Sequence, residues 1–260
     1  MNIKNVILTL VLICIFYIVL TMNLYFILDV KHMSIKQTNL NENHEIIVQP
    51  EEERNIENFR GKKLIALTFD DGPNEKTTKL LVEGLKKRNS RSTFFMVGKQ
   101  IIQNAELVKL VYDSGNEIGN HSYSHCYLTK LNRYGIINEI NRTDNEIEKI
   151  TGEKPKLLRP PYGAYNGKVI NSTDKSLILW NVDPEDWKYK NSDLIYNHII
   201  THAKDGNIIV LHEGYETTVD GALRAIDTLK EQGYDVVTIS EMEKLKNYDF
   251  GQNKSYFYMK

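Results

Sequence analysis

Only two cysteines occur in the 260-residue sequence, Cys14 inside an apolar run and Cys126 beside a histidine. Two thiols in such unlike settings build no disulfide framework, and cysteine usage leaves the compartment open. A basic surplus is also missing: 33 Lys and Arg face 34 Asp and Glu, a formal net charge of -1. That balance gives no support to a nucleic-acid partner, which would demand a positive face. No internal repeat is visible, and the length suits one large domain or two small ones. What the chain does have is tyrosine, 15 of them, a side chain that offers a flat apolar face and a hydroxyl to sugars but is also common in cores.

The N-terminus carries the one long hydrophobic run. From residue 6 to 28 only Thr9, Tyr17, Thr21, Asn23 and Tyr25 interrupt it, and about 20 apolar residues are what a helix needs to cross a bilayer. A cleavable signal peptide would have a shorter run, roughly 7 to 15 residues, ending in a small-x-small site. This run ends in Tyr25-Phe26-Ile27-Leu28-Asp29, so residues 6–28 are expected to form an uncleaved membrane anchor behind a short flank, 1–5. Lys4 on one side and Lys31, His32 and Lys36 on the other do not set its orientation. Residues 29–61, polar and rich in Asn and Glu with an acidic cluster at Glu51, Glu52 and Glu53, read as a stalk.

From residue 62 short apolar runs alternate with amphipathic stretches. The runs predict strands at 64–69, 92–97, 117–119, 156–158, 176–180, 207–211 and 235–238. The stretches predict helices at 77–88, 105–113, 133–151, 167–171, 193–204 and 221–232. In the long middle helix Ile136, Ile137, Ile140, Ile147 and Ile150 recur at helical spacing, while Glu139, Arg142, Asp144, Glu146 and Glu148 fall largely elsewhere. About seven alternations of strand and helix point to a parallel α/β sheet, either open or closed into a (β/α) barrel. Residues 62–250 form this domain, and 251–260 read as a frayed tail.

The first predicted strand ends in Asp70 and Asp71, followed by Gly72 and Pro73. Two adjacent carboxylates at a buried strand tip are costly unless a partner neutralises one, and a metal ion is the natural candidate. His121 and His125 follow the third strand, Arg159 and Tyr162 the fourth, Asp183, Asp186 and Trp187 the fifth, and His212 the sixth. In a parallel barrel those strand ends share one face, so the five clusters read as one site. A spacing of four puts both imidazoles on one side of a helical turn. Two histidines and an aspartate leave coordination positions open, as in a catalytic zinc centre. Non-haem iron oxygenases use the same set, so metal and reaction class stay open at this point. One aspartate then binds the metal while the other accepts a proton from the attacking water, held ionised by Arg159. His212 stands as general acid with Asp186 to orient it. The stiff segment Arg159-Pro160-Pro161-Tyr162 aims a backbone N–H at a developing oxyanion.

Together these residues resemble the polysaccharide deacetylases of carbohydrate esterase family 4, also called the NodB homology domain. Five motifs appear in order: TFDDGP at 68–73, HSYSH at 121–125, RPPYG at 159–163, DPEDW at 183–187 and IVLH at 209–212. The resemblance implies a distorted (β/α) barrel and a divalent ion, zinc or else cobalt or another, held by Asp71, His121 and His125. It further implies Asp70 as general base tied to Arg159, His212 as general acid tuned by Asp186, and the Tyr162 N–H in the oxyanion hole. Trp187 and Leu211 would line a pocket for the acetyl methyl, with Pro160, Pro161 and Tyr162 forming the rest of the substrate wall. A tethered member of this family on the outer side of the cell membrane implies peptidoglycan as substrate, N-acetylglucosamine ahead of N-acetylmuramic acid, then chitin oligomers or acetylxylan. A wall-glycan binder without turnover is the alternative of another class.

Overall fold

The computed structural model describes residues 56–59, 61–252 and 254–259. The expected anchor over 6–28 and nearly all of the expected stalk over 29–61 lie outside the described residues. Among the described residues no helix is long and apolar enough to cross a membrane.

In chain order the elements are β1 (Lys63–Gly72), α1 (Thr78–Lys87), β2 (Thr93–Met96), α2 (Gly98–Gln103), α3 (Ala105–Asp113), β3 (Glu117–Asn120) and α4 (Arg133–Thr151). There follow β4 (Leu157–Leu158), α5 (Gly167–Ile170), β5 (Ser176–Ile178), α6 (Asp186–Tyr189), α7 (Ser192–His202) and β6 (Ile208–His212). The chain ends with α8 (Glu216–Glu231), β7 (Tyr234–Val236), α9 (Ile239–Leu245) and β8 (Ser255–Tyr256). Neighbouring strands pair in the order β6-β1-β2-β3-β4-β5-β8, with β7 beside the start of β1, and every pairing is parallel. The result is an α/β half-barrel. Between β5 and β6 an isolated bridge, Val182 with Ile209, and hydrogen bonds of Asn181 to Asn207 and Ile208 draw the two sides together.

The apolar runs are buried on both faces, as strands flanked by helices must be. Ile65, Leu67 and Phe69 of β1 join Ile209 and Leu211 of β6 in a layer with Leu81, Leu85, Ile195 and Ile226 from α1, α7 and α8. Residues of the other parity, Leu64, Ala66 and Ile208, pack inside the curl with Phe95, Leu157, Ile178 and Val237. Each such side chain contributes roughly 1.5–3 kcal/mol by leaving water, so the strands that carry the site are fixed from two sides.

Five parts differ from the sequence reading. Helix α8 starts at Glu216 rather than 221, and Gly221 lies within it. A glycine there weakens a helix by about 1 kcal/mol, but a Cβ would stand 2.8 Å from the Ser192 carbonyl and 3.0 Å from Ile195. The glycine is the condition for the close packing of α7 on α8. The helices α2, α6 and α9 were not expected, although α9 announces itself by a capping box between Thr238 and Glu241. The sequence read as a frayed tail is also structured: β8 pairs with β5, and the Met259 N–H donates to the Gly206 carbonyl at 2.8 Å. Its anchors are too few for a periodic pattern, but Met259 is fully buried in the inner cluster. Met259→Ala is expected to lower stability by about 2–5 kcal/mol, read as a shift of the urea midpoint, whereas a frayed tail would show no change.

Candidate active site and metal centre

Side chains alternate along a strand, so Asp70 and Asp71 should point to opposite faces. A bulge resolves this. Asp70 pairs with Phe95 and Gly72 with Met96, leaving Asp71 as the extra residue, in the left-handed conformation at φ 68°. Aspartate tolerates that region better than most side chains. The bulge turns Asp71 toward the same end of the sheet as Asp70.

Asp71 there meets both histidines: its Oδ1 lies 3.5 Å from His121 Nε2 and 3.1 Å from His125 Nε2. One ligand atom from each of the three falls within 4.8 Å of the others. Oδ1 is buried and has no hydrogen-bond partner among the described residues, a costly state for a carboxylate oxygen unless a cation sits against it. The donor set suits a divalent ion. His121 Nδ1 lies 2.7 Å from the Arg159 carbonyl, which can only accept, so Nδ1 carries the proton and Nε2 presents a lone pair. Burial holds the His121 imidazole neutral by pushing it down to about 3.

The histidines are not on a helix, contrary to the sequence reading. Ser122 and His125 are left-handed, at φ 63° and 56°, and the loop is tied to β3 and α4. Asn120 accepts from the Ser122 N–H at 2.7 Å and donates to the Ile140 carbonyl and to Asp144. Glu139 Oε2 accepts from the Tyr123 and Ser124 N–H groups at 3.0 and 2.8 Å. Asp144, buried, pairs with Lys175 at 2.9 Å. Helical periodicity put Glu139 and Asp144 on polar faces and thereby hid them. Their signal was position: both share the side of α4 that carries Ile136, Ile140 and Ile147.

Asp70 has a different partner. Arg159, fully buried, donates from Nη1 to Asp70 Oδ1 and to Thr68 Oγ1, both at 2.7 Å. Its remaining N–H groups reach the Ile178 and Leu179 carbonyls, and its guanidinium lies 4.2 Å from the Phe95 ring. Burial raises the Asp70 carboxyl above its ordinary range, and the Arg159 charge works against that rise. A carboxylate so held is still a willing proton acceptor.

His212 pairs with Asp70 across β1 and β6, so both sit at one strand end. Its Nδ1 donates to Asp186 Oδ1 at 2.8 Å, and its backbone N–H to Oδ2 at 2.7 Å. Thr218 Oγ1 completes the Asp186 shell at 2.7 Å. Burial alone would depress the imidazole. The hydrogen bond and charge of Asp186, with Asp70 and Asp71 further off, outweigh it and lift His212 to about 9. The ring is therefore an imidazolium at neutral pH, with Nε2–H to give.

Tyr162 is left-handed at φ 62°, half exposed beside His125, with ring centroids 4.7 Å apart. Pro160 and Pro161 are buried beneath it and shape the turn rather than present a surface. Trp187 is exposed on α6, and Asp183 accepts from the Glu185 N–H at 2.8 Å, shaping the turn into that helix. Leu211 does not line the site: it has the parity of Phe69 and packs in the layer between sheet and helices. Val210, two residues before His212, shares the site's face instead. Alternation in Ile208–His212 carried that signal. Glu213, also unforeseen, is fully buried, and burial lifts its carboxyl to about 7. It accepts from Thr78 Oγ1 and fills the space where a Cβ on Gly72 would stand, so a side chain at the end of the bulge would have to displace the Glu213 carboxylate. A cavity between Arg91, Glu117, Lys154 and Glu241 opens at the other end of the strands and contains none of these groups.

Residues 58–176 match the family model described as polysaccharide deacetylase. The chain is 42% identical over 203 residues to a peptidoglycan N-acetylmuramic acid deacetylase of Bacillus subtilis, spanning 78% of this chain but only 43% of that protein. It is 36% identical to a peptidoglycan N-acetylglucosamine deacetylase of Bacillus cereus, over 72% of this chain and 91% of that one. Among solved structures, a family 4 acetyl xylan esterase from Clostridium thermocellum in complex with a cobalt ion superposes with a TM-score of 0.73. The identity is 31%, over 76% of this chain and 99% of that chain.

Asp71→Ala is expected to abolish binding of one divalent ion in isothermal titration calorimetry, whereas Asp70→Asn retains it. Glu139→Ala, which frees two loop N–H groups, should weaken the same affinity about 10- to 100-fold. An unchanged affinity would make Glu139 a mere surface residue.

Proposed function

The chain belongs to the polysaccharide deacetylase family, and on that premise we propose that it hydrolyses N-acetyl groups of a cell-wall glycan, releasing acetate and leaving a free amino sugar. The observation that carries the proposal is the division of partners at the tip of β1. Asp71 shares an otherwise unpartnered oxygen with two imidazoles, while Asp70, one residue away, is tied to Arg159. Peptidoglycan is the substrate we favour, since two of the relatives above bear its deacetylation in their names. Within it N-acetylglucosamine comes first and N-acetylmuramic acid second, ahead of chitin oligomers and acetylxylan.

Asp71, His121 and His125 would hold a divalent ion, zinc in our reading and cobalt as a substitute, which would supply Lewis acidity toward the acetamide oxygen and lower the pKa of a water. Asp70 accepts the proton of the attacking water, and the Arg159 guanidinium fixes which oxygen receives it. As the carbonyl carbon becomes tetrahedral, the Tyr162 N–H donates to the oxygen that gains charge. His212 then passes its Nε2 proton to the amine nitrogen as the carbon–nitrogen bond breaks, and Asp186 stabilises the imidazolium until that moment. Water and amide are consumed, acetate and amine are formed, and Asp70 and His212 exchange protons with solvent to reset. Trp187 stands at the acid side of the cleft as a wall for the sugar.

We further propose that residues 6–28 tether this domain to the outer face of the cell membrane, within reach of the wall. A change of the glycan from neutral acetamide to cationic amine would make it a poorer fit for hydrolases that read the acetyl group.

Acetate release from purified peptidoglycan, chitin oligomers and acetylxylan, assayed side by side, tests the reading. Release should be greatest on peptidoglycan, stop with chelator, and fall about 10²- to 10⁴-fold in Asp70→Asn. Retention of the glycan without any release would mark a binding protein instead. The acid must be protonated, so activity should decline as pH rises past the His212 value of about 9. Asp186→Asn removes the charge that raises it and should move that alkaline limb to lower pH.

A further inference from the structure

Lysines lie over tyrosines on both sides of the cleft. On the metal side Tyr127 stacks on Tyr162, with centroids 4.0 Å apart and planes 17° from parallel, and Lys130 Nζ sits 4.5 Å from the Tyr127 centroid. These residues continue outward from His125, so the row begins at a metal ligand. On the acid side Lys190, the residue that ends α6, lies 4.7 Å over the ring of Tyr215, which opens α8 three residues after His212. Trp187 and Tyr189 of α6 are exposed beside them, at 47% and 51%. Lys188 is different: its ammonium is spent on Glu185 at 3.0 Å. Lys130 and Lys190 have no carboxylate within ion-pair distance among the described residues. In a chain with slightly more acids than bases, two unspent ammonium groups braced on aromatic rings at opposite rims of one cleft call for an anionic counterpart.

We propose, resting on the function above, that this rim is a binding surface for a glycan that carries carboxylates beside its acetamides, with Lys130 and Lys190 reading the carboxylates and Tyr127 supporting the sugar. The aromatic edges give contact that is blind to charge, and the two ammonium groups add selectivity for an anionic polymer. Bracing each ammonium on a ring limits the side-chain freedom that a long lysine otherwise loses on binding. Peptidoglycan carries such carboxylates; chitin does not.

The test is retention of the full chain on insoluble peptidoglycan and on chitin, measured by co-sedimentation in an Asp70→Asn background so that neither polymer is altered. Lys130→Gln and Lys190→Gln should each weaken retention on peptidoglycan about two- to five-fold, the scale of an exposed ion pair, and more when combined. Retention on chitin should stay at the parent level. Added salt should reproduce the lysine loss on peptidoglycan alone, and Tyr127→Ala should weaken retention on both polymers. Equal losses on the two polymers, or none, would overturn the proposal. Acetate release measured in the wild-type chain separates the two readings: release with lysine variants that bind like the parent overturns the rim alone. Charge-selective retention without release overturns the deacetylase reading and leaves the rim standing.

Discussion

Two carboxylates on consecutive residues, Asp70 buried and Asp71 partly exposed with one oxygen buried, cannot share a strand end unless each has its own counter-charge. The structure meets this constraint by breaking the alternation of β1 once. The single extra residue at Asp71 sends that side chain to the imidazoles and leaves Asp70 in register with His212 and in contact with Arg159. Removing the bulge would return one acid to the apolar layer, where an unpaired carboxylate is expensive enough to be protonated or expelled. The surroundings follow from this arrangement. Gly72 closes the bulge against Glu213, and the fully buried guanidinium of Arg159 donates to two carbonyls, a hydroxyl and a carboxylate.

Opposite electrostatic demands are thereby met within a few residues of one another. His121 is kept neutral by burial, as the proposed ligand role requires, while His212 is kept charged by Asp186, as the proposed acid role requires. The two rings differ in the partner of Nδ1: a carbonyl for one, a carboxylate for the other. Complete burial lowers the pKa of the first, and the carboxylate beside the second outweighs its burial.

Most of the fold was legible because β1, β2, β6 and the longer helices carry strong periodicity, and the site was legible because its residues cluster after strand ends. What escaped did so for identifiable reasons. Alternation within Ile208–His212 puts Val210, not Leu211, on the face of His212, and Leu211 packs toward the helices instead. The spacing of His121 and His125 fits a helical turn, yet the loop reaches the same convergence through two left-handed residues held by Asn120 and Glu139, a tertiary solution with no local signature. Glu139 and Asp144 look like solvated charges on a helix until the neighbouring loop is in place. The strand β8 is two residues long and gains its place from Met259 and Tyr256 in the inner cluster, which no window of periodicity detects.

Arg159 has one further consequence. Its side chain fixes Asp70 and its own carbonyl fixes the tautomer of His121. In the proposed reaction one residue would therefore set both the basicity of the proton acceptor and the readiness of a ligand to bind. The two properties are not separate dials: a redesign that trades one metal for another by adjusting His121 also disturbs the base, and a redesign of the base reaches the metal. Within this scaffold metal choice and proton chemistry have to be changed together.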